Sequence, residues 1–107
     1  MTLSQGEVWW ADMPPPLGYR PVVLLTRDDF INALTNVTVA PLTRSSHRSS
    51  SEVEVSAEEG VVTDCVISLD NVTTIPSSYL VSRMTLLSPE RMNQVWEALH
   101  YALDVPF

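Results

Sequence analysis

The chain has 107 residues, enough for one domain with a single modest core and too few for two. Its hydrophobic content of 45% and mean hydropathy of +0.07 exclude a disordered chain, and its longest apolar run, residues 21–25, is far too short to span a membrane. The net charge is −7, and all of the positive charge is arginine, which argues against general adhesion to nucleic acid.

Two features of the sequence bear on cellular location. The N-terminal residues MTLSQGEVWW lack a basic segment followed by an apolar run, so no signal peptide is predicted. Cys65 is the only cysteine and has no partner for an internal disulfide, which suits a reducing compartment. We therefore expect a cytoplasmic protein that forms one domain over residues 1–107.

The first half of the chain predicts three strands separated by loops. The first two strands enclose a loop of three prolines and Gly18, and the third, rich in valine and threonine, follows a short helical turn. The second strand is apolar on both faces, so we expect it to be buried on both. The predicted segments are strand 6–12, loop 13–19, strand 20–26, helical turn 27–34, strand 36–43 and polar loop 44–51.

The second half predicts further strands and a terminal helix. Residues 52–56 alternate strictly, with Val53 and Val55 facing inward, and residues 65–75 predict a longer strand that bends near Asp70. Residues 77–87 fit either a helical turn or a strand. A helix then begins after Ser88, with an apolar stripe that should face the core. The stripe comprises Met92, Val95, Trp96, Leu99 and Leu103.

Several short strands followed by one amphipathic helix predict a mainly β fold, a small and strongly bent antiparallel sheet capped by a C-terminal helix. The positive charge is uneven along this fold. Residues 18–48 carry four arginines against two aspartates, whereas residues 49–107 carry two arginines against nine acids. We call residues 18–48 the cationic island. A local cluster of arginines of this kind can bind one phosphate group specifically, although four arginines scattered over a solvated surface would give the same count.

Arg20 and Thr43 are the residues best suited to form a phosphate-binding site. The sequence has no glycine-rich phosphate loop, no Cys-x-x-Cys pair and no His-x-x-x-His pair. Arg20 begins the second strand and Thr43 ends the third, so the two meet at one end of the sheet if those strands are neighbours. A guanidinium can donate to two phosphate oxygens at once and a hydroxyl to the same group. The alternative is an arginine in a surface ion pair and a threonine that only ends a strand.

The motifs, in their order along nearly the whole chain, resemble the MazF/PemK (Kid) toxins of bacterial toxin–antitoxin pairs. They are GEVW from Gly6, RPV from Arg20, PLT ending at Thr43, and LDNVTTI from Leu69. The resemblance implies a seven-stranded SH3-like (MazF/CcdB-like) barrel with a C-terminal helix, which assembles as a homodimer and binds a cognate antitoxin.

The resemblance also implies an activity and a site. The activity is sequence-selective cleavage of single-stranded RNA, without metal or other cofactor, through attack of the ribose 2′-hydroxyl on the adjacent phosphate. The products are a 2′,3′-cyclic phosphate and a 5′-hydroxyl end. Arg20 and Thr43 match the family's catalytic positions. RNA-binding roles are expected for Arg44, His47 and Arg48 on phosphates, and for Asp70, Asn71 and Thr73 on base edges.

The chain departs from the family in three respects, which leave other functions open. The loop before Arg20 lacks the glutamate or glutamine common there, the net charge is acidic, and Asn71 replaces a frequent glutamine. One alternative is a CcdB-like gyrase poison acting through the helix end ALDVPF, residues 102–107. Another is an inactive homologue that only binds an antitoxin.

Overall fold

The computed structural model describes residues 1–106 as a curved antiparallel sheet against which one long helix packs. The mainly β fold predicted from the sequence, about seven strands with a C-terminal helix, is confirmed. The strands are β1 Glu7–Asp12, β2 Tyr19–Leu24, β3 Asn36–Thr43, β4 Glu52–Val55, β5 Cys65–Ser68, β6 Thr73–Pro76 and β7 Leu80–Leu86. The helices are α1 Asp28–Ile31 and α2 Pro89–Leu103, and 3-10 turns span Ala57–Glu59, Leu69–Asn71 and Ser77–Tyr79.

Strand β3 pairs with three other strands, β2, β5 and β6. The strand order is β4-β5-β3-β2-β1-β7, and β6 also pairs with β3. The first half of β3, Asn36 to Val39, pairs with β6, and its end, Leu42 and Thr43, pairs with β5. Because β3 exchanges partners along its length, the sheet bends there, and the end of β3 lies where β2 and β5 flank it.

The central strands are apolar on both faces because the sheet has a core on each side. Val8 and Val23 pack in one cluster together with α2, whereas Trp9 and Val22 pack in the opposite cluster. All four are at most 7% exposed. Burial of such side chains contributes about 1.5–3 kcal/mol each, so β2 is a stiff support for the residues at its ends. The predicted burial of β2 on both faces is confirmed.

The segment from Cys65 to Ile75 differs from the single bent strand predicted for it. Ser68 ends β5, the 3-10 turn Leu69–Asn71 follows, and β6 starts at Thr73. The break allows β5 and β6 to pair with different parts of β3. The sequence of residues 77–87 fitted either a helical turn or a strand. In the structure they form a short 3-10 turn followed by β7.

Helix α2 begins as the sequence predicts. The Ser88 hydroxyl accepts a hydrogen bond from the Arg91 backbone N–H (3.1 Å), which caps the first turn. Met92 and Val95 are buried, but Leu103, expected in the core stripe, is 63% exposed because the last turn extends past the core. Of the helix-end segment 102–107, Phe107 lies outside the described residues.

Candidate functional site

Arg20 and Thr43 meet at one end of the β2–β3 pair. These strands are antiparallel, with Val22 opposite Pro41 and Leu24 opposite Val39. The same register, continued two residues, places Arg20 opposite Thr43, and directly opposed residues point to the same face. Both residues line one cavity of about 220 Å³.

The cavity combines residues that the sequence singled out with others that it did not. Arg20, Thr43, His47 and Asn71 are the predicted members. The members that sequence reasoning missed are Leu17, Pro41, Ser45, Glu52 and Ser68. The alternating pattern of its strand predicts that the Glu52 side chain faces water. Only the pairing of Glu52 opposite Ser68 brings it to the site.

The Arg20 guanidinium differs from those of Arg91 and Arg83 in having no hydrogen-bond partner among the described residues. Its Nε–H is buried and donates to no hydrogen-bond acceptor within residues 1–106. By contrast, Arg91 Nε lies 2.8 Å from Glu59 Oε1, and Arg83 Nε lies 2.6 Å from Glu7 Oε2. A buried, unsatisfied donor costs free energy, more so on a charged group. The site is therefore prepared for an anion.

Two further arginines close to the end of β3 also lack a carboxylate partner among the described residues. Arg44 and Arg48 are exposed and form no ion pair there. The fourth arginine of the cationic island, Arg27, lies elsewhere, with its guanidinium 4.4 Å from the centre of the Phe30 ring. Three guanidinium groups that form no ion pair within the described residues thus lie near one end of the sheet, where they favour a polyanion.

The Thr43 hydroxyl is oriented by its own chain. Its Oγ1 accepts a hydrogen bond from the Ser45 backbone N–H at 3.2 Å. Because a hydroxyl that accepts in this way still has its hydrogen to donate, Thr43 can donate to an oxygen bound in the cavity beside Arg20.

The segment Arg44–Ser51, which we call the serine loop, is held by the Glu52 carboxylate. Glu52 accepts hydrogen bonds from the His47 N–H (3.0 and 3.1 Å), the Ser46 hydroxyl (3.1 Å) and the Ser49 N–H (3.4 Å). Burial disfavours the charged carboxylate, but these hydrogen bonds and the nearby His47 outweigh it and hold the pKa of Glu52 below its usual value. A charged Glu52 thus fixes the shape of the loop.

A second set of contacts ties the serine loop to the Leu69–Asn71 turn. The buried Ser51 hydroxyl donates to the Asp70 carboxylate, and the Ser51 carbonyl accepts from the Leu69 N–H at 2.9 Å. Asn71 Nδ2 donates to the Ser68 hydroxyl at 2.8 Å. Asp70 is exposed, but its carboxylate is hydrogen-bonded to the serine loop. Asn71 is held at the cavity wall by its bond to Ser68.

Not all of the predicted RNA-binding residues lie in the cavity. Thr73, on β6, lies opposite Val39, which is four residues or about 13 Å along β3 from Thr43. Arg48 projects from the serine loop, where its φ of 53° places it in the left-handed region. Arg44 lines a neighbouring cavity instead.

This neighbouring cavity, of about 170 Å³, shares Thr43 with the first. Trp10 lines it and stacks on Tyr19 with ring centres 4.9 Å apart, whereas Trp9 is buried. Cys65 also lines it. Burial, reinforced by the charges of nearby carboxylates, raises the pKa of this thiol against the opposing effect of Arg44, so it remains protonated at neutral pH.

Residues 1–106 contain neither a cluster of metal ligands nor a membrane-spanning helix. No three His, Cys, Asp or Glu side chains in this part of the chain are placed to hold a metal ion. None of the helices described there is both long and apolar enough to cross a membrane.

Comparison with known proteins identifies close relatives. Residues 4–103 match the family described as PemK-like, MazF-like toxin of type II toxin-antitoxin system. The probable endoribonuclease MazF2 of Mycobacterium tuberculosis is 39% identical over 98 residues, which cover 91% of this chain and 94% of the relative.

Comparison with solved structures gives the same family and fold. The Mycobacterium tuberculosis toxin MazF-mt6 superposes with a TM-score of 0.87 at 34% identity, covering 94% of this chain and 99% of that one. An endoribonuclease from mycobacterial species, in complex with its cognate antitoxin, gives a TM-score of 0.87 over 98% of both chains, and at 20% identity shows a shared fold. The chain belongs to the PemK-like, MazF-like toxin family of type II toxin–antitoxin systems.

Proposed function

We propose that this protein is the toxin of a type II toxin–antitoxin pair and an endoribonuclease that cleaves single-stranded RNA in the cavity between Arg20 and Thr43. The observation that carries this proposal is the partly buried Arg20 guanidinium, whose buried Nε has no hydrogen-bond partner among the described residues and which lines the same cavity as Thr43. The relatives named as endoribonucleases support the same reading.

The two side chains have distinct roles. As the ribose 2′-oxygen attacks the neighbouring phosphorus, negative charge gathers on the non-bridging oxygens, and a cation already in place stabilises that charge. Arg20 supplies it, and because a guanidinium does not release a proton at neutral pH, Arg20 acts by charge and orientation. Thr43 donates a hydrogen bond that aligns the phosphate. The P–O5′ bond breaks, which leaves a 2′,3′-cyclic phosphate and a 5′-hydroxyl end.

The surrounding residues bind the RNA on either side of the scissile phosphate. Arg44 and Arg48 contact flanking phosphates, a role supported by their exposure and lack of ion pairs. Asn71 reads a base edge from the cavity wall, and Asp70 and Thr73 read bases farther along the strand. Sequence selectivity would then arise from the Leu69–Asn71 turn and the start of β6.

The proposed partners are single-stranded RNA, a cognate antitoxin and a second copy of the chain, in the cytoplasm. A structural neighbour that was solved with its cognate antitoxin supports the second. Since Arg20, Arg44 and Arg48 form no ion pair within the described residues, an antitoxin segment with acidic and apolar residues should occupy the same cavity and compete with RNA.

The test is cleavage of mixed-sequence single-stranded RNA in the presence of EDTA. The wild type should release fragments that end in cyclic phosphate, and Arg20→Ala should lower the rate by about 10²–10³-fold. Thr43→Val should also lose activity, whereas Thr43→Ser, which keeps the hydroxyl, should retain most of it.

Arg27→Ala is the matched control, since it removes an arginine of the cationic island that lies outside the cavity. It should cleave at the wild-type rate. Intact RNA together with gyrase-dependent DNA breaks would refute the nuclease and favour a CcdB-like poison. Intact RNA without DNA damage would leave a protein that only binds its antitoxin.

A further inference from the structure

His47 is the only histidine among the residues that line the cavity. It lies in the serine loop and lines the same cavity as Arg20 and Thr43. The backbone N–H of His47 is held by Glu52, but no hydrogen bond of its imidazole is formed within residues 1–106. Both ring nitrogens are therefore available to a bound molecule, while the backbone that carries the ring is anchored.

The reaction proposed above needs a group that removes the 2′-hydroxyl proton, and Arg20 and Thr43 do not supply one. Glu52 is the other titratable member of the cavity, but its oxygens already accept four hydrogen bonds. A carboxylate so engaged is a weak base, and its lowered pKa points the same way. The neutral imidazole has one nitrogen free to accept a proton.

We propose that His47 is the general base of the cleavage reaction and that Glu52 is its positioning residue. This inference rests on the proposed endoribonuclease function. A ring nitrogen of His47 takes the proton from the 2′-hydroxyl as the 2′-oxygen forms its bond to phosphorus. The P–O5′ bond breaks, the leaving 5′-oxygen takes a proton from water, and the resulting hydroxide accepts the proton from the imidazolium. No proton is gained or lost overall.

The charged groups around His47 come from four elements. Glu52 on β4 is the anion in contact with the His47 backbone, and Arg20 at the start of β2 faces the same cavity. Arg48 adjoins His47 in the serine loop, and Asp70 in the Leu69–Asn71 turn is bound to that loop through Ser51. A bound phosphate adds a further anion to these groups.

The experiment is a single-turnover cleavage assay with enzyme in excess, from about pH 5 to pH 8, the range in which histidine changes charge. The wild-type rate should rise with pH and level off. His47→Gln should cleave about 10²–10⁴-fold more slowly and lose that rise. Added imidazole should restore cleavage by His47→Ala in proportion to its concentration. Because the pKa of Glu52 is lowered from its usual value, the midpoint of its titration lies below this window.

The chain offers a matched control in its other histidine. His100→Gln on α2 should keep both the wild-type rate and the pH profile. Glu52→Ala should lower the plateau but keep the rise with pH, since His47 remains. Binding of uncleavable 2′-O-methyl RNA should be the same in His47→Gln as in the wild type.

Three results would overturn the proposal. The first is a His47→Gln variant that equals the wild type in rate, and the second is a variant that is slow yet keeps the acidic fall and resists imidazole. The third is a loss of binding of 2′-O-methyl RNA alone, which would make His47 a binding residue. If wild type and His100→Gln cleave while one of these holds, only this inference fails. If neither cleaves RNA, the proposed function fails with it.

Discussion

Replacing Arg20 by methionine should inactivate the protein and at the same time stabilise its fold. Arg20 carries a buried Nε with no partner in the described part of the chain. Such a donor costs about 1–3 kcal/mol of folding free energy. Since the side chain is only partly buried, we take the lower end, about 1 kcal/mol. Methionine fills a similar volume with a flexible side chain and brings no donor.

The measurement is urea unfolding in a buffer free of phosphate, with the thermal midpoint as a second readout. Arg20→Met should raise the midpoint temperature by about 4–8 °C, the shift that about 1 kcal/mol produces in a domain near this size. Arg44→Met, at an exposed site, should change stability by no more than about 0.5 kcal/mol. Inorganic phosphate should stabilise the wild type more than Arg20→Met. A loss of stability in Arg20→Met beyond that of Arg44→Met would refute the reasoning.

Two further predictions concern the framework. At Gly60, with φ of +102°, an added Cβ would lie 2.5 Å from Thr85 Oγ1, so Gly60→Ala should lower the free energy of unfolding, measured with a chemical denaturant, by more than about 2 kcal/mol. Gly18→Ala is the control: φ is +68° and no atom lies within 4 Å of the added Cβ, so the loss should be only about 1 kcal/mol. Equal losses in the two variants would contradict the clash. Burial disfavours the charged form of Glu7, but hydrogen bonds led by that from Arg83 lower its pKa below 4.5, so its stabilising contribution is complete above about pH 4.5 and lost as the pH falls through the lower folded value. Glu7→Gln should unfold more easily at neutral pH and show a flatter decline in acid, whereas parallel curves would exclude this role.

The local sequence accounts for most of the elements. Alternation in residues 52–56 predicts a strand whose valines face inward, and Val53 and Val55 are buried. Ser88 and Pro89 mark the start of α2, where the structure has it. These patterns succeed because strand alternation and helix capping depend on neighbours within a few residues. The motif order also carried enough information to identify the family.

The site required the tertiary structure, because its members come from segments far apart in the chain. The sequence places Arg20 and Thr43 at strand ends, but only the pairing of β2 with β3 brings the two residues to one cavity. Glu52 gave no local signal, since a carboxylate on an alternating strand normally faces water, and the pairing of β4 with β5 brings it to the cavity. Likewise, the break after Ser68 follows from β3 having two partners. Strand pairing is long-range, so no window of residues contains it, and it decides which side chains share one phosphate-sized space.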